Sequence, residues 1–142
     1  MLEEAIERAP IVRGGLEGRS VWYIDDDHDV RDATRAVLER WGCEVTICGS
    51  GAECLQTARR TDAPDLLILD YRLQDCVGPD LLPELESIWG HVTPVVIVSG
   101  EHATLLEDAL ENAPWPLLKK PIRPEELHVA MLALFASTKV PS

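Results

Sequence analysis

Positive charge is scarce in this sequence. Only 13 of its 142 residues are Lys or Arg, against 25 Asp or Glu, which leaves a formal charge of −12. That balance repels a phosphate backbone and argues against nucleic-acid binding by this chain. Partners are expected among proteins and cations instead. Long apolar runs are missing too. No stretch nears the roughly 20 residues that span a bilayer, and the N-terminal MLEEAIERAP is too acidic and too poor in apolar residues for a secretory signal. No membrane contact is expected of this chain, and the expected location is cytoplasmic. The four cysteines, Cys43, Cys48, Cys54 and Cys76, form no CxxC pair and have no histidine at metal-ligand spacing. They are read as reduced thiols, with Cys43 and Cys48 serving as small hydrophobes in or beside an apolar segment. There is no internal repeat and no low-complexity tract.

What the sequence does have is a composition, 46% hydrophobic and 27% charged, that fits one packed domain. From Ser20 onward short apolar runs alternate with longer amphipathic segments, a βαβα rhythm that implies a parallel sheet covered by helices on both faces. Strands are expected at residues 21–24, 44–48, 65–69, 94–98 and 116–118. Leu66-Leu67-Ile68-Leu69 and Val95-Val96-Ile97-Val98 are apolar at every position, which suits central strands buried on both faces. Val30, Ala33, Thr34, Val37, Leu38 and Trp41 recur at helical spacing, and Gly42 supplies a stop. Ser50 and Pro124 mark two further helix starts, and Arg59-Arg60 a helix end. LEEAIERA could form a short helix and IVRGGLEGRS has no apolar period, so residues 1–19 are taken as a lead-in or linker, 20–137 as the domain and 138–142 as a polar tail too short for an output domain.

In an open parallel sheet, ligands bind beyond the carboxyl ends of the strands. There the sequence places Asp25-Asp26-Asp27, Asp70, Ser99-Gly100 and Lys119-Lys120-Pro121. Three or four carboxylates converging at a low-dielectric rim repel one another by several kcal/mol unless a cation neutralises them. Mg²⁺, which works with one or two carboxylates plus a phosphate, is the expected ion. Acids, one lysine and one hydroxyl are the parts required for phosphoryl transfer to a carboxylate, with Asp70 as nucleophile, Lys120 on one phosphoryl oxygen and Ser99 on another.

These residues resemble the receiver domains of two-component response regulators. The resemblance runs from Ser20 to about Ala136 and is carried by IDDD (residues 24–27), LLILDYRL (66–73), VVIVSG (95–100) and KKP (119–121). It implies a flavodoxin-like α/β fold, a doubly wound (βα)5 unit with strand order 2-1-3-4-5. It further implies Asp70 as phosphoacceptor, Asp25 and Asp26 as the Mg²⁺-binding pair, the backbone carbonyl of Arg72 as a further ligand, Ser99 as switch hydroxyl and Lys120 as active-site lysine. Pro121 would follow a cis peptide bond, and Gly78 matches the family's turn glycine. The implied activity is self-catalysed phosphoryl transfer from a histidine kinase or histidine phosphotransfer protein, then slow autodephosphorylation, with a homodimer as one implied state. The family's switch aromatic is replaced by Leu117, with Trp115 two positions earlier. PWPLLKKPIRPEEL resembles receivers at the C-terminus of hybrid histidine kinases.

Two other functions compete. A haloacid-dehalogenase-like phosphatase also uses a strand-end Asp but needs a second acid two residues on, where this chain has Arg72. A degenerate receiver would serve only as a protein-interaction module, yet every phosphorylation residue is present. Asp27 and Asp29 are expected to cap or solvate a helix start. His28, His91, His102 and His128 have no paired ligand, Lys119 should be exposed, and Trp22, Trp41, Trp89 and Trp115 should pack in or around the core. Gly14-Gly15-Leu16-Glu17-Gly18 precedes a strand, where a phosphate loop would follow one, and is read as linker.

Overall fold

Apolar strand runs separated by capped amphipathic segments fold here as that rhythm dictates. The computed structural model describes residues 15–100 and 115–138. In chain order it contains β1 (Ser20–Ile24), α1 (His28–Arg40), β2 (Glu44–Cys48), α2 (Gly51–Ala58), β3 (Leu66–Asp70), a 3₁₀ turn (Gly78–Leu81), α3 (Leu82–Trp89), β4 (Val95–Ser99), β5 (Leu117–Lys119) and α4 (Pro124–Thr138). All neighbouring strands are parallel and the sheet order is 2-1-3-4-5. The order reverses direction at β1, which has β2 on one side and β3 on the other. That is the switch point where a crevice opens above the sheet.

Strand alternation sorts the core into two layers. Val21, Tyr23, Leu66, Ile68, Val96 and Val98 face the layer of α1 and α4, where they meet Leu38, Trp41, Leu127, Met131 and Phe135. Trp22, Ile24, Leu67, Leu69, Val95 and Ile97 face α2 and α3, meeting Cys54, Ala58 and Leu85. β3 and β4 are buried at all five positions, as continuous apolar runs require, while the edge strands β2 and β5 are only partly covered.

Helix ends follow the expected chemistry. The Asp27 carboxylate caps α1, accepting from the N–H groups of Asp29 at 3.0 Å and Val30 at 3.2 Å. Gly42 terminates that helix in the left-handed region at φ 90°. Ser50 caps α2, with its Oγ accepting from Glu53 N–H at 3.0 Å, and the Glu53 carboxylate accepts from the N–H of Gly49, just ahead of the cap. Ala33, counted in the apolar stripe of α1, is exposed.

Two expectations change. Strands 3, 4 and 5 each begin and end one residue later than the apolar runs suggest, because ladder hydrogen bonding continues through Asp70, Ser99 and Lys119. The described end of the lead-in is also not free linker. Leu16 is fully buried in the α1/α4 layer, Gly18 turns at φ 77° and donates to Gly42 O at 2.9 Å, and the Arg19 guanidinium sits 4.4 Å over the Phe135 ring. The short-helix expectation for LEEAIERA, His102, the crossover at 101–114 and most of the tail lie outside the described residues. Among the described residues no helix is long and apolar enough to cross a membrane. The cysteines are free, with Cys43, Cys48 and Cys54 buried.

The loop after β3 is held at both ends. Gly78 N–H donates to Tyr71 O at 2.6 Å, and a Cβ on Gly78 would lie 2.0 Å from Asp70 O. Gly78 is thus required by close approach to the Asp70 backbone, since its φ is not positive. Further along, the two oxygens of Asp75 accept from the first N–H groups of α2, Gly51 at 2.9 Å and Ala52 at 3.0 Å, and these donors hold the carboxyl below its ordinary range. Gly78→Ala should cost about 1–3 kcal/mol by overpacking, measured as a lower urea midpoint. Asp75→Ala should cost at most about 1 kcal/mol at neutral pH, because the cap is exposed. A carboxyl lowered in the folded state stabilises above its unfolded pKa and ceases to do so as pH falls through the folded one. The difference between wild type and Asp75→Ala in denaturant titrations should therefore shrink progressively below about pH 4.

Candidate functional site

Each sequence-predicted site residue emerges at the carboxyl edge of the sheet. Asp25 and Asp26 follow β1, Asp70 ends β3, Ser99 ends β4 and Lys120 follows β5. β1 is registered against β3 with Ile24 opposite Leu69. Continued by one residue, that register sets Asp25 beside Asp70 on adjacent strands about 5 Å apart. Asp25 N–H still bonds Cys48 O at 3.0 Å, which extends the β1 geometry through the acid. On the far side, Lys120 N–H donates to Ser99 O at 2.9 Å, after which the chain passes through a cis Lys120-Pro121 bond.

Lys120 reaches across the crevice and joins the two acids. Its Nζ lies 2.9 Å from Asp25 Oδ2 and 3.0 Å from Asp70 Oδ2, while Lys119 is exposed. Asp25 is 0% exposed, Asp70 5% and Ser99 4%, so the charges are largely desolvated. Burial pushes the Asp70 carboxyl up to about 6, with Lys120 opposing the shift and the Asp25 charge reinforcing it. Burial also works against the charge on Asp25, but the Tyr23 hydroxyl, the Asp27 N–H and Lys120 outweigh it and hold this carboxyl below its ordinary range. Burial disfavours the Lys120 ammonium as well, and the two carboxylates more than compensate, keeping its pKa raised.

Asp26, half-buried, completes a triad with Asp25 and Asp70 in which one oxygen from each lies within 4.8 Å of the others. Three carboxylates around one ammonium leave excess negative charge. A hard divalent cation with oxygen preference fits that donor set. Arg72 lies two residues past Asp70, paired with Val77 in an isolated antiparallel bridge, with its guanidinium over the Tyr71 ring. Leu117 begins β5 opposite Ile97, and Trp115 packs half-buried against the α2/α3 layer.

One residue of the site was read from sequence only as part of a strand. The fully buried Tyr23 donates its hydroxyl to Asp25 Oδ2 at 2.7 Å. Burial, followed by the adjacent Asp25 carboxylate, raises its phenol well above the ordinary value, so it stays a proton donor. The available signal was spacing, since residues two apart on a strand share a face. A tyrosine two positions before an aspartate on a strand therefore shares a face with the acid. The remaining tryptophans behave as packing residues, with Trp22 and Trp89 edge to face at 5.2 Å and Trp41 against His128 at 5.2 Å.

Known proteins resemble this chain in sequence and fold. The family profile described as "Response regulator receiver domain" matches residues 21–132. "Response regulator MprA" of Mycobacterium leprae is 29% identical over 116 residues, which cover 82% of this chain and 50% of that protein. "Two-component response regulator ORR7" of Oryza sativa subsp. japonica is 32% identical over 109 residues, covering 75% of this chain and 52% of the relative. The chain thus spans about half the length of the curated relatives it matches. Among solved structures, a response regulator receiver domain protein from Clostridium thermocellum superposes with a TM-score of 0.72 at 26% identity, over 85% of this chain and 97% of that one. With its sheet order, its strand-end acids and a profile match over most of its length, this chain belongs to the response regulator receiver domain family.

Proposed function

We propose that this chain is a phosphoacceptor, taking a phosphoryl group onto Asp70 from the phosphohistidine of a histidine kinase or histidine phosphotransfer protein, with Mg²⁺ held by Asp25, Asp26, Asp70 and the Arg72 carbonyl. The observation that carries this reading is the bridge from Lys120 Nζ to Asp70 Oδ2 and Asp25 Oδ2 inside a three-carboxylate cluster. Bound there, Mg²⁺ would offset the excess negative charge and stabilise charge on the transferring oxygens.

The chain's own groups supply the remainder. An Asp70 carboxylate oxygen attacks phosphorus, an O–P bond forms, and the P–N bond to the donor imidazole breaks. Lys120 turns its ammonium from Asp70 Oδ2 to a phosphoryl oxygen, replacing one ion pair with another at little reorganisation cost. The Ser99 hydroxyl, buried at the end of β4, donates to a further oxygen. Water then attacks phosphorus, a new O–P bond forms, the bond to the Asp70 oxygen breaks, and inorganic phosphate leaves as the carboxylate is restored. The dehalogenase-like phosphatase reading lacks its second acid, since the position two residues past Asp70 is Arg72. Leu117 at the aromatic position directs attention to packing around β5, not an aromatic rotamer, as the route of output.

Acetyl phosphate with Mg²⁺ should label the wild-type chain once, detected as a mass gain on intact protein, and chelation should prevent it. Asp70→Asn should lose the label by at least about a hundredfold. Undiminished labelling of Asp70→Asn would transfer the acceptor role elsewhere. Beryllofluoride should shift backbone amide resonances near Asp70 and Ser99 only when Mg²⁺ is present, an outcome an interaction-only module would not give.

A further inference from the structure

Asp25 has more donors than an ion pair alone would bring. Its Oδ1 accepts the Asp27 N–H at 3.0 Å, and its Oδ2 accepts both the Lys120 ammonium at 2.9 Å and the Tyr23 hydroxyl at 2.7 Å. Two of these donors are fixed by the fold. The Asp27 N–H belongs to the cap of α1, and Tyr23 sits near the carboxyl end of β1 with its ring in the core layer of Leu38, Trp41, Leu127 and Met131. The buried Thr34 of α1 also lies beside the phenol. Lys120 differs, because its long side chain is shared with Asp70 and is the one donor free to turn.

We infer that Tyr23 is a positioning residue for the cation site: its hydroxyl locks Asp25 in the orientation that faces Asp70 and satisfies Oδ2 when Lys120 swings to the incoming phosphoryl group. The inference rests on the phosphoacceptor reading above. Without Tyr23, transfer of Lys120 would leave a buried carboxylate oxygen short of a donor, which is costly in a desolvated site. Outer-shell partners of ligating carboxylates act in this way, and removing one typically weakens metal binding by 10- to 100-fold.

Tyr23→Phe keeps the buried ring and deletes only the hydroxyl. Mg²⁺ titrated into the unphosphorylated chain by isothermal calorimetry should bind roughly tenfold more weakly to Tyr23→Phe than to wild type. In acetyl phosphate labelling, the half-saturating Mg²⁺ concentration should rise in parallel, and the rate at saturating Mg²⁺ should fall by roughly tenfold, because Oδ2 has no remaining donor once Lys120 turns away. Leu38→Val, a change in the same core layer away from the carboxylates, serves as the control for general loosening and should leave Mg²⁺ affinity within twofold. Equal Mg²⁺ affinity in wild type and Tyr23→Phe overturns the inference, as does an equal loss in Leu38→Val. Failure of the wild type to bind Mg²⁺ at all overturns the underlying site reading together with it, so the two failures are distinct.

Discussion

The register between β1 and β3 forces two carboxylates together, and the arrangement around the crevice answers that repulsion. Asp25 and Asp70 cannot separate without breaking strand pairing that is apolar and buried on both faces. At an effective dielectric constant near 20, two unit charges 4 Å apart interact by about 4 kcal/mol, comparable with a large share of a small domain's net stability. Lys120 offsets this by lying within 3.0 Å of both acids. Its position depends in turn on β5 pairing with β4 and on the Lys120 N–H bond to Ser99 O. Strand order, lysine placement and acid placement are therefore one constraint.

Much of this was legible before the fold was seen, because the signals at strand ends differ in kind from those inside strands. A continuous apolar run that stops abruptly at Asp, Ser or Lys marks the sheet edge where solvent and ligands begin. Boundaries slipped by one residue because side-chain polarity was used as a proxy for backbone pairing, and backbone hydrogen bonds continue through Asp70, Ser99 and Lys119 regardless of side chain. Leu16 was hidden for the opposite reason. A single leucine among glycines has no period, and only the turn at Gly18 brings it onto Trp41 and Phe135. Gly78 could be matched from sequence but not explained, since the 2.0 Å approach of its missing Cβ to Asp70 O is a tertiary fact.

The loop between Asp70 and the 3₁₀ turn is held by contacts at three places. Gly78 presses on the Asp70 backbone, the Arg72–Val77 bridge closes the loop, and Asp75 ties it to the first N–H groups of α2. Two main-chain contacts and the Asp75 carboxylate thus connect Asp70 to the start of α2.

The two central aspartates differ in their surroundings more than in their sequence context, and the difference assigns their proposed roles. Asp25 accepts from three donors, two of them rigid, so its charge is spread over fixed hydrogen bonds and its orientation is set. Such a carboxylate is a good anchor for a cation and a poor nucleophile. Asp70 shares a mobile ammonium, and burial raises its basicity instead of lowering it. A more basic carboxylate whose counter-ion can turn away is better suited to attack phosphorus. Exchanging the two environments would require moving Tyr23, and with it the core layer between β1 and α1, so the difference in environment that underlies the proposed roles is built into the packing of the domain.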